Sequence, residues 1–264
     1  MAHQTGNIRY LGSFKSIRHY RRRRDKRTLA GEKGGANRDL IMHNPVFALT
    51  RLNMNEFGGC DAVVKAIRIG LQALLPEYSD TDFTGRLVAI VKMINLKDED
   101  GARGKREVLF SQNRQILKTL TFHVKKKIDF QLRKSITTSH PESRTEATIK
   151  VNGLNPNLQV VPASAQFYRV VNHISIISDF AYDEGNRRYE ALSQSDKMSA
   201  IAYSDYIPVN TPLSAEVKAA FREGTLLSEK DTVLQCVGIE YYMRTGKDGY
   251  RPFTDKSMMV FDVF

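Results

Sequence analysis

The densest group of side chains able to do chemistry is a run of cations, RHYRRRRDKR, at residues 18–27. Arg18, Arg21, Arg22, Arg23, Arg24, Lys26 and Arg27 stand there with one carboxylate, Asp25, and with His19 and Tyr20 interleaved. Cations at this density neutralise phosphates, and each neutralised phosphate releases condensed counterions, so the chemistry on offer is salt-sensitive binding of nucleic acid or another polyanion. Contacts of that kind position a protein without reading a base sequence. The same residues also fit salt bridges to the acidic groups of a neighbouring subunit, or a solvated strand face. Lys125, Lys126 and Lys127 offer an extension of the patch, although a charged hairpin tip is the commoner reason for such a triplet.

The remaining reactive residues nominate no catalytic centre. GEKGG (31–35) and GARGK (101–105) both miss the phosphate-loop pattern, because neither Lys33 nor Lys105 is followed by Ser or Thr. Asp80, Asp82, Asp98, Glu99 and Asp100 could supply oxygen ligands to a hard cation, but they lack the calcium-loop spacing, and helix capping accounts for Asp80 and Asp82. His3, His19, His43, His123, His140 and His173 form no zinc-binding pair at helical spacing. Cys60 and Cys236 are expected to be two buried thiols, since free cysteine packs as a small hydrophobe. There is no GxSxG elbow, and Ser, His and Asp are scattered. No cofactor, metal ligand or nucleophile follows from these residues, and a non-catalytic protein is expected.

Charge along the 264 residues is polarised. Residues 1–43 carry 11 Lys and Arg against 3 Asp and Glu; residues 44–140 carry 16 against 10; residues 141–264 carry 13 against 16. One end is therefore suited to an anionic partner, while the other is mildly acidic. The apolar stretches are too short for a membrane span, LVAIV (87–91) ending at Lys92. MAHQTGNIRYLGSF has no continuous apolar region of the secretory kind, so a cytoplasmic location is expected.

Periodicity supplies the elements that must hold these residues. Short strands around a turn at Gly12 and Ser13 are expected, followed by an irregular glycine-rich loop at 31–35. Asn44 and Pro45 start a helical module: a first helix broken or bent at Gly58 and Gly59, a second from Asp61 to Pro76, and a third over 81–94. Beyond Val108 the period falls to two. Strands are expected at 120–124 and 128–132, the latter also satisfying helical spacing, and then at 147–151, 166–182, 188–192, 198–207, 232–244, 250–253 and 258–264. TGKDG (245–249) reads as a hairpin turn and 215–222 as a helical insert. Tyr241 and Tyr242, being adjacent, must point to opposite sheet faces, with core positions favoured for both. The fold class is α+β: a basic segment at 1–43, a helical module at 44–118 and an antiparallel β-sandwich at 119–264, of the jelly-roll or immunoglobulin-like kind.

Several segments, TGNIRYLGSF, GEKGG, NPVFALTRLNMNEFG, IRIGLQALL, VNGLNPNLQVVPASAQFYRVV and LQCVGIEYYMRTGKDGYRPF, keep their order over nearly the whole chain. In these the chain resembles a family of uncharacterised proteins abundant in Bacteroidetes, with no established activity. The resemblance implies no site residues. Relatives tend to carry a glycine-rich, mostly uncharged hairpin where this chain has FKSIRHYRRRRDKR, so the arginines are a local feature. The expectation is a self-associating structural or assembly protein, a homo-oligomer built through the sandwich, whose basic segment meets a polyanion or an acidic neighbouring subunit. A nucleic-acid-binding protein making nonspecific phosphate contacts is the alternative.

Overall fold

The computed structural model describes residues 2–22, 25–126, 130–156, 161–246 and 249–264. The chain divides into two compact units, Met1–Arg51 and Leu52–Phe264. The first unit is a small antiparallel sheet of β1 (Ala2–His3), β2 (Gly12–Phe14), β3 (Ile17–Arg21) and β4 (Thr28–Glu32), in the order β1-β4-β3-β2. Phe14 pairs with Ile17, so the hairpin turn is Lys15 and Ser16, not Gly12 and Ser13. Lys15 sits at φ +48°, the left-handed region that two-residue hairpins require. A short helix α1 (Arg38–His43) follows, capped by the Asn37 side chain on the Leu40 amide. Asn44 accepts from the Val46 amide and starts a 3-10 turn, Pro45–Phe47, with Pro at its first position as expected.

The boundary between the units falls within α2 (Ala48–Gly70), which is followed by α3 (Leu75–Tyr78), α4 (Phe83–Asn95), α5 (Arg114–Leu117) and α6 (Phe130–Ser135). The strands of the second unit are β5 (Ile136–Ser139), β6 (Glu146–Leu154), β7 (Phe167–Ser178), β8 (Phe180–Asp183), β9 (Arg188–Ala191), β10 (Ser199–Tyr203), β11 (Ile207–Pro208), β12 (Leu213–Ala220), β13 (Asp231–Thr245), β14 (Gly249–Pro252) and β15 (Ser257–Val263). One sheet runs β10-β7-β13-β14, with β11 on β7 and β15 on β13. A second runs β12-β6-β5, and β8 and β9 form a separate hairpin. All these pairings are antiparallel.

Strands β7 and β13 pair along twelve residues and are buried on both faces. Val171 and Ile177 of β7, with Leu234 and Cys236 of β13, share a core with Cys60, Val63 and Ile67 of α2 and Leu87 and Val91 of α4. Their neighbours Val170, Val237, Ile239 and Tyr241 belong to a core with Ile149, Val151 and Val217 of the second sheet. The layers are thus helix, large sheet, small sheet. The helices from Leu52 onward and these sheets fall in one compact unit. The outer face of the small sheet is polar, with cross-strand pairs Lys150–Glu216 and Lys218–Glu146. Among the described residues no helix is long and apolar enough to cross a membrane.

Four local expectations are corrected. Residues 215–220 belong to β12 (Leu213–Ala220): Leu213, Val217 and Ala219 are buried, and this period of two overrides the helix propensity of the alanines. At 120–124 the regular ladder is replaced by a single bridge, Thr121 to Met259, and bends. From Phe130 the chain is helical, the i, i+4 spacing prevailing; Ile128 and Asp129 lie outside the described residues. Helix α2 runs unbroken through Gly58 and Gly59 and ends at Gly70, while Pro76 sits in the first turn of α3. The strands over 166–182 and 232–244 are found as β7, β8 and β13, and Thr245 pairs with Gly249 as a hairpin.

The glycines of α2 explain its continuity. A Cβ on Gly59 would lie 2.3 Å from the ring of Tyr189, and one on Gly70 would lie 2.2 Å from Ser175 Oγ, so both permit close approach of helix to strand. Nothing surrounds Gly58. Gly58→Ala should therefore stabilise the protein by about 0.5–1 kcal/mol through helix propensity, whereas Gly59→Ala should destabilise it by roughly 1–3 kcal/mol through overpacking. Urea unfolding of the two variants checks this, and equal shifts would refute the packing account.

Candidate polyanion interface

The basic side chains are displayed by the N-terminal sheet, whose short strands bury little. Among the described residues of the first unit, Thr28 and Leu29 are the buried ones. Arg18, Arg21, Arg22, Lys26 and Arg27 are all exposed, whereas Arg23 and Arg24 lie outside the described residues. Asp25 draws on two of these cations, standing 3.4 Å from Arg22 and 3.6 Å from Arg27, and Arg21 Nε donates to the Lys26 carbonyl at 3.1 Å. The Arg18 guanidinium lies 5.7 Å from the centre of the Tyr20 ring, and Lys15 Nζ 5.8 Å from that of Phe14. Exposed ion pairs of this kind contribute little to stability. The unit as a whole carries 12 Lys and Arg against 3 Asp and Glu, so its field is dominated by uncompensated positive charge.

The lysine triplet belongs to the second unit. Lys125 is exposed, and Lys126 Nζ donates to the Thr254 carbonyl at 2.5 Å. Both backbone amides bond to His123 Nδ1, so the segment is a capped bend rather than a strand hairpin tip. Lys127 lies outside the described residues.

Within the second unit, a buried charged cluster escapes sequence reasoning. Glu240 of β13 is 4% exposed and accepts from Tyr78 Oη at 2.7 Å, from Arg169 Nε at 2.7 Å and from Lys256 Nζ at 3.3 Å, and also from Tyr242 Oη. Burial alone would raise the Glu240 carboxyl, but the hydrogen bonds from Tyr242, Tyr78 and Arg169 and the charge of Lys256 outweigh it and hold the group below its ordinary value. Arg169 is roofed by Tyr203, with its guanidinium 3.8 Å from the ring centre, and flanked by Tyr206 and Tyr242. Tyr206 in turn stacks on Tyr250 at 4.0 Å. Lys256 also reaches Glu77 at 2.6 Å. This arrangement binds its own cations: the aromatic box is filled by Arg169, so the cluster is a structural joint between α3, β7, β13 and the segment before β15. Tyr241 and Tyr242 are both buried, on opposite faces of β13.

The other candidate groups are also engaged or enclosed. Cys60 and Cys236 are free and buried, and burial pushes the Cys60 thiol up to about 11 and Cys236 higher still. Asp80 is held down at about 2, chiefly by the hydrogen bond from Arg86, a partner that capping alone did not foresee. Asp82 is the N-cap residue of α4 but makes no side-chain cap bond. Asp98 accepts from the Gly101 and Glu107 amides, which folds the acidic loop upon itself. Among the described residues no group of three or more His, Cys, Asp and Glu side chains is placed to hold a metal ion. No protein-family model, curated protein or solved structure matches the chain.

His173 of β7 is fully buried opposite Cys236. Burial pushes its pKa down from 6.5 to about 4, opposed in part by the backbone of Gly70. The unfolded chain therefore takes up a proton near pH 6.5 that the folded chain refuses until about pH 4, and stability is lost as pH falls through that window. Between pH 6.5 and 5 the loss should be about 1.5–2 kcal/mol. His173→Leu should flatten the dependence of the urea midpoint on pH over that range; an unchanged slope would show that another group carries it.

Proposed function

We propose that this protein is a non-catalytic binding and assembly protein: its sheets, of the jelly-roll or immunoglobulin-like kind, serve as a scaffold, and the basic N-terminal sheet contacts a polyanion. The observation that carries this reading is the exposed cation set on β3 and the turn after it, where Asp25 meets Arg22 and Arg27 and is the sole carboxylate between residues 18 and 27. Seven cations in ten residues leave a charge that a polyanion neutralises with a gain in counterion entropy. The balance of charge favours this over an acidic copy of the chain. Residues 52–264 hold 28 Lys and Arg against 26 Asp and Glu, so a second molecule presents no acidic counterpart in bulk.

Affinity for duplex DNA or heparin should fall steeply with salt. In Arg18→Ala/Arg22→Ala the slope of log K against log salt should become shallower by about one to two, each lost phosphate contact contributing about 0.7–0.9. Identical slopes for parent and variant would remove these arginines from the interface.

Self-association is the second reading, favoured by exposed apolar side chains of the first unit, among them Ile8, Leu11, Val46 and Leu49. It predicts a homo-oligomer in size-exclusion chromatography with light scattering at low and high salt. A strict monomer at micromolar concentration in both would discard it.

A further inference from the structure

We infer that the anionic partner is single-stranded nucleic acid, taken up by base stacking on one face of the N-terminal sheet. This rests on the polyanion reading above and specifies its ligand. The register Phe14↔Ile17 and Gly12↔His19, with alternation along β3, places Phe14, Ile17, His19 and Arg21 on one face. Tyr10 joins them: its ring meets the His19 ring edge-on at 6.3 Å, and its amide is held by Gln4 Oε1 at 2.9 Å, while Gln4 Nε2 lies 2.7 Å from His19 Nδ1. Tyr10 is 65% exposed and Phe14 69%.

Large aromatic rings are ordinarily buried, and here two stand with most of their surface in water, Tyr10 on a backbone fixed by Gln4. Around them stand Lys15, beside the Phe14 ring, and Arg21 on the same face. Aromatic platforms bordered by cations suit an unpaired strand, whose bases stack on the rings while its phosphates meet the cations. A duplex hides the faces of its bases and would leave both rings unused. Heparin offers charge without bases. The same face of a second copy brings the same positive field and would be disfavoured as its partner here. Because every base has a stacking face, the binding has little sequence preference.

Fluorescence anisotropy tests this with a labelled oligo(dT) of about fifteen nucleotides, a length covering the site of one small sheet domain, against a duplex of equal length, heparin, and vesicles containing an anionic phospholipid. The parent should bind the single strand on the order of tenfold more tightly than the duplex. Tyr10→Ala/Phe14→Ala should weaken oligo(dT) binding on the order of tenfold and leave heparin binding unchanged. Since both rings are largely exposed, the variant should keep the parent's unfolding midpoint, which circular dichroism verifies. Equal affinity for duplex and single strand, equal losses for oligo(dT) and heparin, or vesicle binding lost with the rings while oligo(dT) binding is retained would each overturn the inference. Absence of binding to heparin and to both nucleic acids at low salt would instead overturn the polyanion reading itself.

Discussion

The structure of the second unit depends on one constraint: β7 and β13, paired along their length, are buried on both faces. A strand in that position cannot send polar side chains to water, so each either finds a partner inside, or, like Ser175 Oγ and Thr232 Oγ1, stays buried at a cost. On the face toward the small sheet, Asn172 Nδ2 donates to the carbonyls of Ala147 and Val217, Gln235 Nε2 donates to Asn172 Oδ1 at 3.0 Å, and Thr138 Oγ1 donates to Gln235 Oε1 at 2.8 Å. This chain of amides fixes how the two sheets face each other, because a slip of one residue would leave every member unpaired. On the face toward the helices, Glu240 plays the corresponding part with Tyr78 and Arg169. Breaking such a buried cluster by removing one partner is far costlier than its net contribution to stability.

The two units obey different rules. The second packs its apolar side chains into shared cores and ties its own end down, as the return of Phe264 onto Val233 illustrates, with a backbone bond in each direction. The first leaves Ile8, Tyr10, Leu11 and Phe14 in water and carries most of the net charge. A segment that buries so little is poorly suited to scaffolding and well suited to contact. Contact with a partner is accordingly proposed for the N-terminal sheet, while stability rests in the second unit's β7 and β13.

Much of the second unit was legible in the sequence, because β7 and β13 are long apolar runs with β-branched residues and the helix stripes of α2 and α4 recur at three and four residues. Errors arose where two signals competed. The alanines around Val217 speak for helix locally, and only pairing with β6 settles them as strand. Gly58 and Gly59 look like a break until the ring of Tyr189, far away in sequence, is seen to occupy the space beside Gly59. The Glu240 cluster was invisible for the same reason: its members come from α3, β7, β13 and the segment before β15, and no local spacing links Tyr78 to Glu240. The cationic run was plain from composition, but its aromatic neighbours acquired meaning only once the hairpin register put Phe14 and Ile17 side by side.

The central strand pair has a consequence for how the chain is made. Ser178 pairs with Asp231 and Phe167 with Tyr242, so the ladder joins residues 53 to 75 apart. Helices α2 and α4, whose apolar stripes rest on that ladder, are synthesised long before β13 exists to complete it. Loop closure over such distances is slow, and half-made layers expose apolar surface while they wait. A nascent chain halted before residue 231 therefore carries amphipathic helices with an incomplete sheet beneath them, and their apolar stripes stay open to solvent until the last eighth of the sequence emerges.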